Sequence, residues 1–291
     1  MSRSDAGDAE DAPPPIHHPP PFADGESLAV DGLLPTCSEP FLWRASDASA
    51  SSSSALRQGI PQSINDLEVR GYLFGPRAKP LPELCICNKY VDPETEAEAR
   101  SELDRCAKLR LPFWLYVNDR EAIRHPAWWP PSTAAAEEVP DYDALICGSG
   151  ESGIGLHRDA FNTRLVSTYL TLGAGHKHVL LLPPTEKGTA LAIKRLGARD
   201  PLAPPDSTTA GKTQRVRPFP TRPLPGLVEA VIDAGGYWFD LAVAKDFDEP
   251  PLTLFIPAGW WHWLAGAEGC DWHVAWGGSF YFPRQNPMAR A

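Results

Sequence analysis

From residue 144 onward, short apolar runs alternate with glycine, proline and polar turns. The runs are ALIC (144–147), RLVSTYLTL (164–172), HVLLL (178–182), LTLFI (252–256), WHVAW (272–276) and SFYF (279–282). Each is rich in β-branched or aromatic residues, so the pattern predicts a sandwich or barrel of β-strands. Upstream, LPFWLYV (111–117) reads as one more buried strand. The stretch 92–109 follows a different period. Ala99, Leu103, Cys106 and Ala107 recur at i, i+4, i+7 and i+8 and make one buried helical face. Asp92 as cap, Pro93 at the first helical position, and Glu94 and Glu96 near the positive end predict its start.

Two regions lack such periodicity. Residues 1–58 contain PPPIHHPPP and ASDASASSSS and read as a largely disordered tail, with LAVDGLLP and PFLW as apolar islands able to dock on the remainder. His17 and His18, inside the proline tract, read as part of that solvated tail. The second is a proline-rich, basic insertion at 197–225, too long for a simple connection between strands. Residues 59–291 then form one domain, with its β core at about 141–283.

Composition narrows the function classes. The 291 residues carry a net charge of -10, which disfavours a long phosphate-tracking surface, so nucleic acid is not expected as a direct ligand. Six cysteines are scattered, and the one close pair, Cys85 and Cys87, lacks the C-x-x-C spacing of zinc and redox motifs. They read as free thiols in a reducing compartment. The opening MSRSDAGDAEDAPPP has no apolar run, and no stretch is long and apolar enough for a membrane span. These features lead us to expect an intracellular protein, cytoplasmic or nuclear, without membrane contact.

The candidate chemistry sits in SGIGLHRDAFNTRLVSTYLTLGAGHKHVLLLPP (152–184) and LTLFIPAGWWHWLAG (252–266). His157 and Asp159 are one residue apart, and on a strand residues i and i+2 share a face. An imidazole and a carboxylate so placed take adjacent positions around one metal, and His262, just after a strand, offers the third ligand. Two imidazoles and one carboxylate leave positions open, as in non-haem Fe(II) oxygenases. A structural zinc site would instead close four ligands rich in cysteine.

In order and context, GLHRD, GHKHVLLLPP and FIPAGWWH resemble the Jumonji C (JmjC) branch of the cupin-type 2-oxoglutarate oxygenases. The resemblance spans roughly residues 141–283 and implies a mainly β fold with flanking helices, a double-stranded β-helix or jelly roll. It implies Fe(II), 2-oxoglutarate and O₂ as cofactor and cosubstrates, with His157, Asp159 and His262 as iron ligands. Lys177 matches the lysine that pairs with the distal carboxylate of 2-oxoglutarate. Where many members have a threonine three residues before the first ligand, this chain has Ile154; Ser152, Tyr169 and Tyr142 are the candidate substitutes. Asn162 is a further candidate polar residue of the cosubstrate pocket, and Arg164 an alternative carboxylate partner. His273 reads as core or pocket wall, His176 and His178 as facing away from Lys177, and His125 as surface. Trp128 and Trp129 read as packing, and Trp260, Trp261 and Trp263 as packing around His262.

The resemblance implies a dioxygenase that hydroxylates a protein side chain or a small molecule, with a homodimer as many relatives form. Two alternatives remain at this point. One is an N-methyl-lysine demethylase of the histone type, which needs a cage for the methylammonium. The other is a non-catalytic cupin-fold protein that binds a metal or a partner.

Overall fold

The computed structural model describes residues 18–23, 38–44, 63–69, 83–87, 89–118, 137–138, 144–161, 164–203, 226–243 and 251–281. The protein is mainly β, and its strands join into one large antiparallel sheet. Beyond a two-stranded ribbon, β7 (Ala160–Phe161) with β8 (Arg164–Leu165), everything is organised around β9 (Ser167–Leu182).

β9 merges two of the expected strands. Residues 164–172 and 178–182 were separated in the sequence pattern by GAGHK, yet the chain crosses those residues without leaving the sheet. Its first half pairs with β11 (Leu252–Ile256) and β13 (His273–Tyr281). Its second half pairs with β10 (Tyr237–Val243) and β12 (Trp261–Gly266). The runs WHVAW and SFYF likewise form the single strand β13. Beyond β13 the sheet continues through β6 (Ala144–Gly148), β4 (Phe113–Asn118), β2 (Glu83–Ile86) and β3 (Lys89–Val91); β5 (Glu137–Glu138) also pairs with β13.

Alternation along β9 reverses halfway. In the first half Leu170 and Leu172 point into a central cluster with Leu254, Ile256 and Ala275, while Tyr169 points to the opposite face. In the second half the odd residues Val179 and Leu181 point into that central cluster, and Leu180 and Leu182 point away. Gly175 makes the reversal possible. Its φ of 95° is left-handed, and a Cβ there would lie 2.7 Å from both His273 Cβ and the Trp272 carbonyl oxygen. The β13 register shifts between Val274 and Ala275 opposite this point, a local irregularity of the bulge type.

Two further clusters cover the outer faces. One packs α2 (Glu96–Leu109), through Leu103 and Cys106, against β2, β4 and β6. Here the predicted start shifts: Thr95, not Asp92, is the cap, its Oγ1 accepting from the Glu98 N–H at 3.2 Å. Thr95 wins because Glu98 stands three residues on and accepts from the Glu94 N–H at 2.8 Å, a variant of the capping box. Ala107, expected on the buried face, is exposed. The other cluster packs α4 (Leu227–Asp233) and the π-helical turn Leu191–Arg195, which follows α3 (Glu186–Ala190), on Leu180, Leu182, Trp238, Trp261 and Trp263. Among the described residues the remaining helix is α1 (Ile64–Val69).

Part of the proline-rich N-terminal stretch belongs to this fold. β1 (Phe41–Arg44), which contains most of the PFLW island, pairs with β11 as an edge strand. His18 is exposed, as a solvated residue would be, yet its backbone bridges to Trp238 and its ring stacks on Tyr237 at 5.6 Å. The LAVDGLLP island, most of the insertion (204–225), Asn162, Tyr142, His17, His125, Trp128 and Trp129 lie outside the described residues. Among the described residues no helix is long and apolar enough to cross a membrane.

Candidate metal centre

The segment 151–157 runs along β12. Gly153 faces Ala265 and His157 faces His262, so this segment carries one residue more than β12 between the two bridges. His157 is therefore held by a bridge at an irregular stretch rather than within a regular strand: its N–H donates to the His262 carbonyl at 3.0 Å and the reverse bond is 2.7 Å. The i, i+2 relation still operates. His157 and Asp159 turn toward His262, while Arg158 between them turns away to Asp200 (Nη2–Oδ2 2.5 Å) and lies 4.8 Å over the Trp261 ring.

His157, Asp159 and His262 bring one ligand atom each within 4.8 Å of one another. Asp159 Oδ1 is 3.6 Å from His157 Nε2, and Asp159 Oδ2 is 3.5 Å from His262 Nε2. Metal–nitrogen bonds of about 2.1 Å place neighbouring donors roughly 3.0–3.4 Å apart, so a small inward adjustment seats an ion. Both rings offer the correct nitrogen. His157 Nδ1 lies 2.7 Å from the Gly155 carbonyl and His262 Nδ1 3.3 Å from the Trp260 carbonyl, which favours the tautomer that leaves each Nε2 lone pair free. His262 is buried; burial first, and then the neighbouring His157, pulls its pKa down to about 4 against the opposing pull of Asp159. It is neutral near pH 7, as ligation requires.

Lys177 reaches the same interior. In the β9–β12 register His262 faces Leu181 and Gly266 faces Lys177, so Lys177 and His262 share the inner face with Val179 and Leu181. Lys177 is 2% exposed, and its Nζ lies 3.4 Å from His273 Nε2. Burial pulls its pKa down to about 7, opposed only by the thiols Cys147 and Cys270. Among the described residues no carboxylate pairs with it. A buried cation without a counter-ion is costly, and a ligand carboxylate would lower that cost. His273, fully buried, is held well below its ordinary pKa by burial and then by Lys177, and so faces the ammonium as a neutral ring.

Other candidates fall elsewhere. Tyr169 is buried among Phe255, Trp276 and Phe113, on the face opposite Leu170 and Leu172, and does not join the interior that holds Lys177. Counting alternation from Lys177 puts both on one side; the reversal at Gly175 separates them. Ser152 is buried with its hydroxyl donated to the Ser149 carbonyl. Ile154 lies in the irregular stretch beside β12 and brings no hydroxyl. Arg164 is exposed on β8. Trp261 and Trp263 pack against α4, and Trp260 packs in the central cluster. His176 and His178 do face away from Lys177, and there they meet Asp240.

The Arg158–Asp200 pair was missed by sequence reasoning. Burial alone would raise the Asp200 carboxyl, but Arg158 and the Leu202 N–H bring it below its ordinary value. The pair ties the start of the basic insertion to the residue between two candidate ligands, and 42 residues of separation left no local signal for it. No protein-family model matches this sequence, and no curated protein matches it.

Proposed function

We propose that this protein is an Fe(II)- and 2-oxoglutarate-dependent dioxygenase with a jelly-roll core of the JmjC type, acting on a protein side chain or a small molecule. The observation that carries the reading is the combination of His157, Asp159 and His262 with a buried Lys177 on the same inner face, which meets no carboxylate among the described residues. Three protein ligands leave room on the metal for other donors. A cation some distance along the same face suits an acid that chelates at one end and carries a carboxylate at the other.

Bound there, iron with 2-oxoglutarate and O₂ would supply the oxidative decarboxylation that drives hydroxylation. The chain's own residues hold and shield. The Gly155 and Trp260 carbonyls orient the two rings. Lys177 fixes the distal carboxylate, and His273 Nε2 accepts from its ammonium and steadies it. The apolar wall of Val179, Leu181, Phe239 and Leu241 limits water around the pair.

Anaerobic titration with Fe(II) and 2-oxoglutarate should produce a metal-to-ligand charge-transfer band, and admission of air should release succinate. If neither signal appears with the wild-type protein, the oxygenase reading fails. Formaldehyde released from methylated lysine peptides would redirect the substrate class to N-methyl groups.

A further inference from the structure

The outer face of β9 carries a second set of metal-binding groups. His176 and His178 alternate with Lys177 and emerge on the side opposite the candidate iron centre. Asp240 on β10 is the direct cross-strand partner of His178, and His176 lies two residues along the same strand face. The ligand atoms of His176, His178 and Asp240 lie within 4.8 Å of one another. Asp240 Oδ1 is 2.6 Å from His178 Nδ1, and Asp240 Oδ2 is 3.2 Å from His176 Nε2.

These contacts alone would describe an aspartate shared by two histidines. One detail does not fit that description. His176 Nε2 is buried and lies 3.2 Å from Asp240 Oδ2, where it contributes to holding that carboxyl below its ordinary value, yet it lacks the alignment of a full hydrogen bond. Distance permits the bond, so direction weakens it. The rest of the ring is open, with 39% of the side chain exposed. A nitrogen turned inward on an otherwise exposed ring, toward a carboxylate with which it is not aligned, is placed for a third body between them. The site also costs little to order, because all three residues stand on paired strands.

We propose that His176, His178 and Asp240 form a second metal site, for a borderline divalent ion of the zinc class, separate from the inner triad. Two imidazoles and one carboxylate suit zinc, and partial exposure of all three side chains lets water complete the shell. An ion there joins β9 to β10 at the level where β9 presents Lys177 to the interior. The site does not depend on the oxygenase reading, since it shares no residue with the inner triad.

The test is metal counting. Full-length protein is dialysed against Zn²⁺, and bound metal is measured by mass spectrometry, with the Zn²⁺-dependent rise in Tm as a second readout. The H157A/D159A variant should retain one bound zinc and a Zn²⁺-dependent rise in Tm. The near-isosteric H178Q/D240N variant should lose one equivalent relative to wild type while keeping the charge-transfer band of the inner centre. A variant combining all four changes should bind none. The proposal is overturned if H157A/D159A binds no zinc, or if H178Q/D240N binds as much as wild type. Loss of the inner band in the wild type with zinc retained in H157A/D159A would defeat the oxygenase reading and leave this site standing.

Discussion

The two sides of the sheet at the second half of β9 carry the same donor set in opposite conditions. On the inner face His157, Asp159 and His262 stand apart by 3.5 Å and 3.6 Å, with ring orientations set by backbone carbonyls. On the outer face Asp240 is already bonded to His178 at 2.6 Å. In the inner site the three side chains stand apart; in the outer site they partly satisfy one another. Donor type alone therefore does not set a site's character. Backbone partners occupy each Nδ1 of the inner set, whereas on the outer face His178 Nδ1 pairs with Asp240 itself.

The largest expected effect separates the two faces completely. Replacing His157 and Asp159 by alanine should abolish the Fe(II)–2-oxoglutarate band and succinate release without altering zinc retention on the outer face. A band that survives would place the iron elsewhere. Gly175→Ala should instead damage both faces. The added methyl meets His273 Cβ and the Trp272 carbonyl at 2.7 Å in a left-handed conformation, so a loss of about 1–3 kcal/mol is expected from overpacking and more from backbone strain. Chemical denaturation measures it, and an unchanged midpoint would show that β9 reverses by other means.

Lys177→Met sharpens the inner face alone. It removes a buried charge that faces no carboxylate among the described residues, at the loss of its contact with His273, so the free protein should be no less stable, while 2-oxoglutarate should no longer raise Tm. A variant that is destabilised and still responds to 2-oxoglutarate would remove Lys177 from the proposed pocket. Thr95→Ala is the smallest change and touches neither face. Loss of the α2 cap should cost about 1 kcal/mol, with metal content and the iron band unchanged.

Much of the candidate site was legible in one dimension. H-x-D spacing brought His157 and Asp159 to one side even without a regular strand, because extended backbone alternates wherever it occurs. The apolar runs marked the strands, though not that GAGHK continues one of them. Glycine and polar residues inside a strand look like a turn when the partners on either side are unknown.

The β character of the chain, the buried positions Ala99, Leu103 and Cys106 of α2, and the gathering of His157, Asp159 and His262 were all readable from the sequence. All three rest on local periodicity or on residue chemistry. The direction in which the side chains of β9 face came from the three-dimensional fold. Gly175 reverses the alternation, sending Tyr169 and Lys177 to different sides despite their matching parity. The fold also set the partners of Arg158 and of His178, Asp200 and Asp240, which lie 42 and 62 residues away. Such pairings depend on strand register and sheet closure, and no local pattern encodes them.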